Sequence, residues 1–215
     1  MSTNKKPARG SQNLKSSGML TKINKHFFPS KKTVEQRFLY LRNEITVESC
    51  ANIIAEIIDA NMPEYVSDEK NGLILLDPPD VINLLITSTG GDMSGAHSLI
   101  AVMRGSAIPI RTIAIGEASS AALCILMAGH QRVATDYTSL MSHQFLTETG
   151  GSYDDIKTMV AEFDMYYKKM TRLYLECTGL DERFIKSKLL SSKDHYFAPE
   201  KALEYNMIDL VSDLA

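Results

Sequence analysis

Apolar residues follow two recurring patterns along the chain, short runs rich in β-branched side chains and longer segments with helical spacing. The short runs predict strands, which are expected near residues 38–41, at 81–88, at 109–115, near 132–134 and at 140–142. The helical spacing predicts helices at about 47–60, 94–104, 120–128 and 154–177. Repeated strand, helix, strand units predict an α/β fold with mostly parallel strand pairing.

The first predicted helix, at 47–60, has a recognisable start and one apolar face. Thr46 belongs to the residue types that cap a helix N-terminus through a side-chain oxygen. The apolar positions are Cys50, Ile53, Ile54, Ile57 and Ile58. Such a stripe predicts that the helix buries this face against the rest of the domain.

The longest helical pattern, at 154–177, is about 36 Å long at about 1.5 Å per residue. A capping arrangement is predicted at residues 152–155, and Thr178 and Gly179 end the pattern. Its apolar positions are Ile156, Met159, Val160, Phe163, Tyr166, Tyr167, Met170, Leu173 and Tyr174. They cover more than one face, which favours contact with another subunit, although packing inside one subunit is the alternative.

A candidate nucleophile, Ser120, stands between an apolar run and small residues that can start a helix. We predict that the strand ends at Gly116 and that the helix begins at about Ser119. Backbone N–H groups at a helix N-terminus have no intrahelical partner and point where a substrate oxyanion would form. Close packing of a helix start against a sheet also favours small residues, so this segment alone leaves both interpretations open.

A candidate base, His143, follows the predicted strand at 140–142. A histidine at a strand end is placed to reach the turn of a neighbouring strand. A lone histidine in an apolar run is also typical of a hydrogen-bonded core residue. Only the combination with Ser120 favours a catalytic pair.

Two glycines, Gly90 and Gly91, follow the strand at 81–88 and are expected to break it before the next helix. Glycine lets the backbone approach a ligand closely. The N–H groups of Gly91 and Ala121 can then form an oxyanion hole. A plain turn is the alternative.

Four blocks of the sequence, taken in order, resemble the ClpP family of caseinolytic proteases over roughly residues 37–212. The blocks are STGGDMSGAHSLIAVMR, GEASSAALCILMAGHQRVA, SLMSHQF and DHYFAPEKALEYNMIDLV. In that family the nucleophile stands four residues after a glycine, which maps onto Ser120, and a histidine before a glutamine maps onto His143. The family aspartate opens the last block and maps onto Asp194, with Asp181 as the rival position.

The sequence departs from the family pattern in four places. Thr89 stands where the family has proline, and Ala122 where it has glycine. The stretch at 61–80 is longer than the family's connection, and there are extra residues between Gly179 and Asp194. Neither Thr89 nor Ala122 carries the chemistry, because the oxyanion donors are main-chain groups.

The resemblance implies the proteolytic subunit of an ATP-dependent Clp protease, a serine endopeptidase. Its implied catalytic residues are Ser120, His143 and Asp194, and its implied oxyanion donors are the N–H groups of Gly91 and Ala121. An extended substrate would bind along Gly90, Gly91, Gln144 and Phe145. Neither a cofactor nor a metal ion is implied.

The resemblance also implies a fold and an assembly. The fold is the spiral β-α-β superhelix that ClpP and crotonase share, with a protruding strand-helix handle. Handles of this kind join two stacked seven-membered rings into a tetradecamer, and the active sites face an enclosed chamber. An AAA+ unfoldase would feed unfolded polypeptides into that chamber. No G-x-x-x-x-G-K-[ST] loop occurs in the sequence, so the motor is expected to be a different chain.

Two alternatives from other classes stay open at this point. A crotonase-type acyl-CoA enzyme shares the spiral fold and the two-amide oxyanion hole but needs no Ser-His-Asp set. A non-catalytic ring subunit would modulate an active partner, and such subunits usually lack a triad residue. The sequence has no G-x-S-x-G motif, which argues against the usual α/β-hydrolase esterase.

Charge is distributed unevenly over the 215 residues. Residues 1–34 contain eight Lys and Arg and no acidic residue, whereas the net charge of the whole chain is −3, so residues 35–215 carry −11. This contrast predicts a basic, disordered extension at 1–34 and one peptidase domain at 35–215. Neither nucleic acid nor a membrane is an expected partner.

The location is expected to be the cytoplasm, with organelle import by the basic extension as a minor alternative. The extension has no apolar core typical of a secretory signal. Cys50, Cys124 and Cys177 have no ligand-like spacing and are predicted to be buried thiols in a reducing compartment.

Overall fold

The computed structural model describes residues 37–68, 72–75, 77–146 and 150–212. The predicted basic extension at 1–34 lies outside the described residues. The strands in the described part are β1 (Arg37–Ile45), β2 (Tyr65–Asp68), β3 (Gly72–Leu75), β4 (Ile82–Gly91), β5 (Ile110–Ser119), β6 (Gln131–Ala134), β7 (Ser139–Ser142), β8 (His195–Phe197) and β9 (Leu210–Val211). The helices are α1 (Val47–Ala60), α2 (Met93–Gly105), α3 (Ala121–Met127), α4 (Tyr153–Thr178), α5 (Glu182–Phe184) and α6 (Pro199–Glu204), with a π-helical segment at Ile185–Leu189.

Seven of these strands form one sheet in the order β1-β4-β5-β6-β9, and β7 extends it by pairing with β5 and β8. Every pairing in this sheet is parallel except that of β7 with β8. The α/β fold with mostly parallel pairing is therefore confirmed. Within the described residues, none of the helices combines the length and apolar character that a membrane crossing needs.

The core lies between the sheet and helices α1, α2 and α3. Inward-facing strand residues such as Leu41, Leu84 and Ala114 are at most 1% exposed. Helix α3 packs on β4 and β5, and all seven of its residues are buried. The helix that follows Ser120 is therefore fixed on all sides.

Helix α1 begins and ends where the sequence predicts. The Thr46 hydroxyl accepts a hydrogen bond from the Ser49 N–H at 3.0 Å, and the Ser49 hydroxyl accepts one from the Thr46 N–H at 2.9 Å. Cys50 and Ile57 on the predicted face are buried, but Ile58 is 48% exposed, so its prediction is wrong. Ile58 is rotated by about 100° from Ile57, which moves it beyond the buried stripe.

Two predicted strand ends are wrong because the strands continue. Strand β4 runs through both glycines, with Gly91 paired to Ile45 of β1, so Gly90 and Gly91 do not break it. Strand β5 passes Gly116 at a positive φ of 74° and ends at Ser119. Before Gly116 it pairs with β6 and after it with β7. Strand β5 therefore changes its partner strand at Gly116. Sequence periodicity does not encode such a change.

Helix α4 has 26 residues, and its two ends differ in how far they are buried. Its C-terminal part buries Met170, Leu173 and Tyr174, whereas most of its N-terminal part is exposed. The exposed apolar side chains there are Tyr153 (79%), Ile156 (38%), Val160 (49%) and Met165 (56%). The first part of the helix therefore adds little to the core of its own subunit. No strand occurs at 143–146 or 150–152, the described residues between β7 and this helix.

Both ends of α4 are capped as predicted. The Ser152 hydroxyl accepts a hydrogen bond from the Asp155 N–H, and the Asp155 carboxylate accepts one from the Ser152 N–H. Hydrogen bonds from Ser152 lower the pKa of Asp155. Gly179 ends the helix in the left-handed conformation at φ 68°.

The long connection at 61–80 contains a β-hairpin of its own. Strands β2 and β3 pair antiparallel and form a two-stranded sheet separate from the main one. The hairpin follows the C-terminus of α1 and precedes β4, so it lies at the N-terminal ends of the parallel strands. The candidate catalytic residues lie beyond the opposite ends.

Candidate active site

Ser120 occupies a strained position between β5 and α3. Its φ of 55° and ψ of −119° are unusual for a residue with a side chain, and such strain costs about 1–3 kcal/mol. The Ser120 N–H donates to the Met141 carbonyl at 2.9 Å, which ties the turn to β7. The buried helix that follows holds the other side. The surroundings therefore impose the conformation that presents the hydroxyl.

Gly90 packs directly against this turn. A Cβ atom at Gly90 would lie 2.7 Å from the Ser119 carbonyl oxygen and 2.8 Å from the Ser120 Cβ. Its φ of 98° also disfavours any side chain. The N–H of Gly90 donates to the Ser88 hydroxyl at 3.1 Å, so it is already engaged. The backbone of β4 thus approaches the serine as closely as glycine permits.

His143 immediately follows β7, and its Nε2 lies 2.6 Å from the Ser120 Oγ. The preceding residue anchors the strand end, because the buried Ser142 Oγ lies 2.7 Å from the Tyr174 hydroxyl and donates to the Leu189 carbonyl at 2.7 Å. Burial raises the pKa of Tyr174, so this phenol stays neutral. The structure brings the two candidate residues into hydrogen-bonding distance across 23 positions of sequence.

Asp194 immediately precedes β8 and lies beside His143. Its Oδ1 is 3.4 Å from the His143 Nδ1, because the antiparallel pairing of Ser142 with His195 places the two neighbouring residues next to each other. Nδ1 is buried, and it has no hydrogen-bond partner among the described residues. The Asp194 side chain is 51% exposed. The third residue is therefore close to the pair but less tightly held.

The rival aspartate, Asp181, has a different environment. It is the N-cap of α5, and its carboxylate accepts hydrogen bonds from the N–H groups of Arg183 at 2.9 Å and Phe184 at 3.1 Å. These bonds explain an aspartate at this position without any reference to His143.

A cavity of about 350 Å³ opens beside Ser120 and His143. The four predicted substrate-binding residues, Gly90, Gly91, Gln144 and Phe145, all line it. The remaining lining residues are Glu44, Thr89, Met93, Met141, Leu146 and Met170. Sequence reasoning did not assign these residues to the cleft. A cavity of about 860 Å³ lies near the hairpin, but the residues described in its lining include neither serine nor histidine.

The described lining of the cleft is acidic. Among its described lining residues, Glu44 is the one carboxylate, and neither lysine nor arginine occurs there. Glu44 lies next to the predicted substrate strand, because its Cγ would be 3.0 Å from a Cβ at Gly91. The three methionines in the lining are flexible and adapt to apolar groups of different shape.

Phe145 connects the cleft to helix α4. Its ring centroid lies 5.5 Å from that of Phe163 and 5.9 Å from that of Tyr166. His97 of α2 stacks on Tyr166 at 5.3 Å. Burial, and then the charge of Lys169, lower the pKa of His97. Residues next to His143 therefore depend on packing against the long helix.

The cysteine nearest to Ser120 in sequence has no features of a nucleophile. Cys124 lies one turn further along α3 and is 1% exposed. Burial raises its pKa to about 12, so the thiolate does not form near neutral pH. Cys50 is buried as well, whereas Cys177 is partly exposed.

Known proteins resemble this chain over most of its length. The family model described as Clp protease matches residues 24–214. The ATP-dependent Clp protease proteolytic subunit 1 of Prochlorococcus marinus (strain MIT 9312) is 27% identical over 182 residues, 84% of this chain and 86% of the relative. Subunit 2 of Mycolicibacterium paratuberculosis is 29% identical over 178 residues, 82% of each chain. The chloroplastic subunit 4 of Arabidopsis thaliana is 31% identical over 163 residues, 73% of this chain and 55% of the relative.

Proposed function

This chain belongs to the Clp protease family, and from that premise we propose that it is a serine endopeptidase with Ser120 as nucleophile. The observation that carries the proposal is the 2.6 Å distance between the Ser120 Oγ and the His143 Nε2. A serine hydroxyl is a weak nucleophile at neutral pH unless a base within hydrogen-bonding distance takes its proton. His143 is such a base, at the mouth of a cleft that can hold a peptide.

The proposed reaction proceeds in two stages. The Ser120 oxygen attacks the peptide carbonyl while its proton passes to the His143 Nε2, and His143 then returns the proton to the leaving amine. Water then attacks the acyl-enzyme while one of its protons passes to His143, and His143 gives a proton to the departing Ser120 oxygen as the carboxylic acid product is released. The N–H groups of Gly91 and Ala121 are the proposed oxyanion donors, each contributing about 3 kcal/mol to the transition state.

Asp194 is the proposed third residue. A carboxylate beside Nδ1 holds the imidazole in the tautomer that presents an unprotonated Nε2, and it stabilises the imidazolium that forms. The separation of 3.4 Å between the Asp194 Oδ1 and the His143 Nδ1 requires a small shift to complete the hydrogen bond. Catalytic hydrogen bonds often tighten only when substrate is bound.

We further propose a chambered assembly in the cytoplasm. The relatives are named as subunits of ATP-dependent Clp proteases, and the family works with Clp ATPases. An extended apolar surface on α4 supports a role for this helix in joining stacked seven-membered rings. Unfolded polypeptides delivered by an AAA+ unfoldase are the proposed substrates. Main-chain pairing with β4 near Gly91 would give broad sequence tolerance.

The second candidate is a non-catalytic ring subunit. The observation that favours it is the buried His143 Nδ1, which has no hydrogen-bond partner within the described residues. The close Ser120–His143 contact supports the active enzyme. Both candidates share the fold and the assembly, so the chemistry of Ser120 decides between them.

The test compares Ser120→Ala with Ser119→Ala. Ser119 is an adjacent buried serine whose hydroxyl donates to the Glu117 carboxylate at 2.8 Å, so it is a matched control. We expect Ser120→Ala to abolish both cleavage of a short fluorogenic peptide and labelling by a fluorophosphonate, whereas Ser119→Ala retains both. Sedimentation should show particles of equal size for all three proteins. An unlabelled parent chain, or labelling that survives in Ser120→Ala, would contradict the proposal.

A further inference from the structure

Asp194 lacks contacts of its own that would fix its carboxylate. The side chain is 51% exposed, and apart from the 3.4 Å approach to His143 it has no polar partner in the described residues. Activity nevertheless requires the carboxylate to stay within a few tenths of an ångström of its working position. The main chain on either side of Asp194 must therefore position it.

One hydroxyl connects both neighbours of Asp194. The Ser191 Oγ accepts a hydrogen bond from the Lys193 N–H at 3.2 Å and lies 2.6 Å from the His195 Nε2. Lys193 and His195 are the residues directly before and after Asp194. The turn at 191–195 is thus closed around a single oxygen atom, with the Asp194 carboxylate projecting from it.

The main chain of Ser191 also reaches the histidine side of the site. Its carbonyl accepts a hydrogen bond from the Gln144 N–H at 2.9 Å, and Gln144 directly follows His143. Ser142, on the other side of His143, pairs with His195. Ser191 is therefore hydrogen-bonded to residues that flank both His143 and Asp194.

We propose that Ser191, with His195 as its hydrogen-bonding partner, is a positioning residue that holds Asp194 beside the His143 Nδ1. The inference rests on the proposed function, because it assigns a role to Asp194. Ser191 does not line the cleft, so it acts through Asp194 and not on the substrate.

The kinetic test uses Ser191→Ala in the full chain with a short fluorogenic peptide. We expect kcat to fall about fivefold to tenfold with KM unchanged, since both hydrogen bonds of the Ser191 hydroxyl within the turn are lost. Ser191→Thr should restore kcat because it retains the hydroxyl. Ser192→Ala is the matched control, because Ser192 is an exposed neighbour without a hydrogen bond in the described part of the chain. A Ser191→Ala enzyme with unchanged kcat would overturn the inference.

A double-mutant cycle separates positioning from general support of the fold. If Ser191 acts through Asp194, then Ser191→Ala should cause no further loss of kcat in an Asp194→Asn background. A loss of equal size in both backgrounds would show that Ser191 acts independently of Asp194.

Hydrogen exchange tests the same inference without activity. Ser191→Ala should accelerate amide exchange at residues 193–195 about fivefold to tenfold, while Ser192→Ala leaves it unchanged. Unchanged exchange in Ser191→Ala would overturn the positioning role even if the enzyme is active. If Ser120→Ala kept its activity or labelling while Ser191→Ala showed accelerated exchange, the proposed function alone would be contradicted.

Discussion

The two sides of the candidate active site differ in how firmly they are held. On one side, Ser120 lies between a fully buried helix and the backbone of Gly90, in a strained conformation that close packing imposes. On the other side, Asp194 is half exposed and lies on a turn held by a few hydrogen bonds. Packing of the core fixes the nucleophile, whereas strand pairing and a polar turn position the carboxylate.

This difference indicates where the activity of the protein is most easily changed. A packed position changes only when the surrounding core deforms, which costs stability. A turn supported by single hydrogen bonds shifts at a small cost, so it responds to substitutions and to neighbouring surfaces. We therefore expect substitutions that displace the packed backbone around Ser120 to affect both folding and activity, and substitutions on the Asp194 side to affect activity alone.

Among the substitutions that compare the two sides, Asp194→Asn on the less constrained side has the largest expected effect. An amide cannot stabilise the imidazolium and favours the wrong tautomer, so we expect kcat to fall about ten-thousandfold. The midpoint of denaturant unfolding should not change, because the side chain is exposed. Peptidase assays and chemical denaturation measure the two quantities.

Asp181→Asn is the control for this substitution. Asp181 caps helix α5, and asparagine caps a helix about as well as aspartate does, so we expect little change in stability and unchanged kcat. A loss of this size in Asp181→Asn with an active Asp194→Asn enzyme would show that the third residue has been assigned to the wrong aspartate.

Gly90→Ala tests the packed side. The new Cβ would lie 2.7 Å from the Ser119 carbonyl oxygen at a φ of 98°, so the turn must move. We expect a loss of about 1–3 kcal/mol in the free energy of unfolding and about a hundredfold loss in kcat/KM. Gly105→Ala is the matched control, because a Cβ there has no neighbour within 4 Å. If Gly90→Ala and Gly105→Ala lost equal stability and equal activity, the proposed difference between the Ser120 side and the Asp194 side would be refuted.

The smallest expected effect concerns the rim of the cleft, at Glu44. Glu44 is the one carboxylate in the described lining, so we expect peptides with arginine near the scissile bond to be cleaved faster than matched peptides with glutamate. Glu44→Lys should reduce the ratio of the two kcat/KM values about threefold to tenfold. Glu56→Lys, a change of the same charge on the exposed side of α1, should leave the ratio unaltered. A ratio that is the same in all three proteins would contradict a role for Glu44.

Local features of the site and fold could be predicted where neighbouring residues determine them. Thr46 caps α1, and Ser152 and Gly179 delimit α4, because capping depends on residues within one turn. The ends of β4 and β5 could not be predicted. The continuation of β4 depends on pairing with β1, and that of β5 on pairing with β7, and both partner strands are distant in sequence. Glycines often end a strand, but here the strands continue through them.

The amino-acid sequence by itself determined the α/β class, the order of the main elements from β1 to α4 apart from the hairpin of β2 and β3, and, through motifs that resemble a family, the candidates Ser120, His143 and Asp194, because periodicity and short motifs record local preferences. Only the tertiary structure decided what lies next to these residues. The pairing of Ser142 with His195, the contact of Ser191 with Gln144 and the entry of Glu44 into the cleft all join distant segments. Such contacts depend on strand register and on packing of the whole core, which no local pattern of residues specifies.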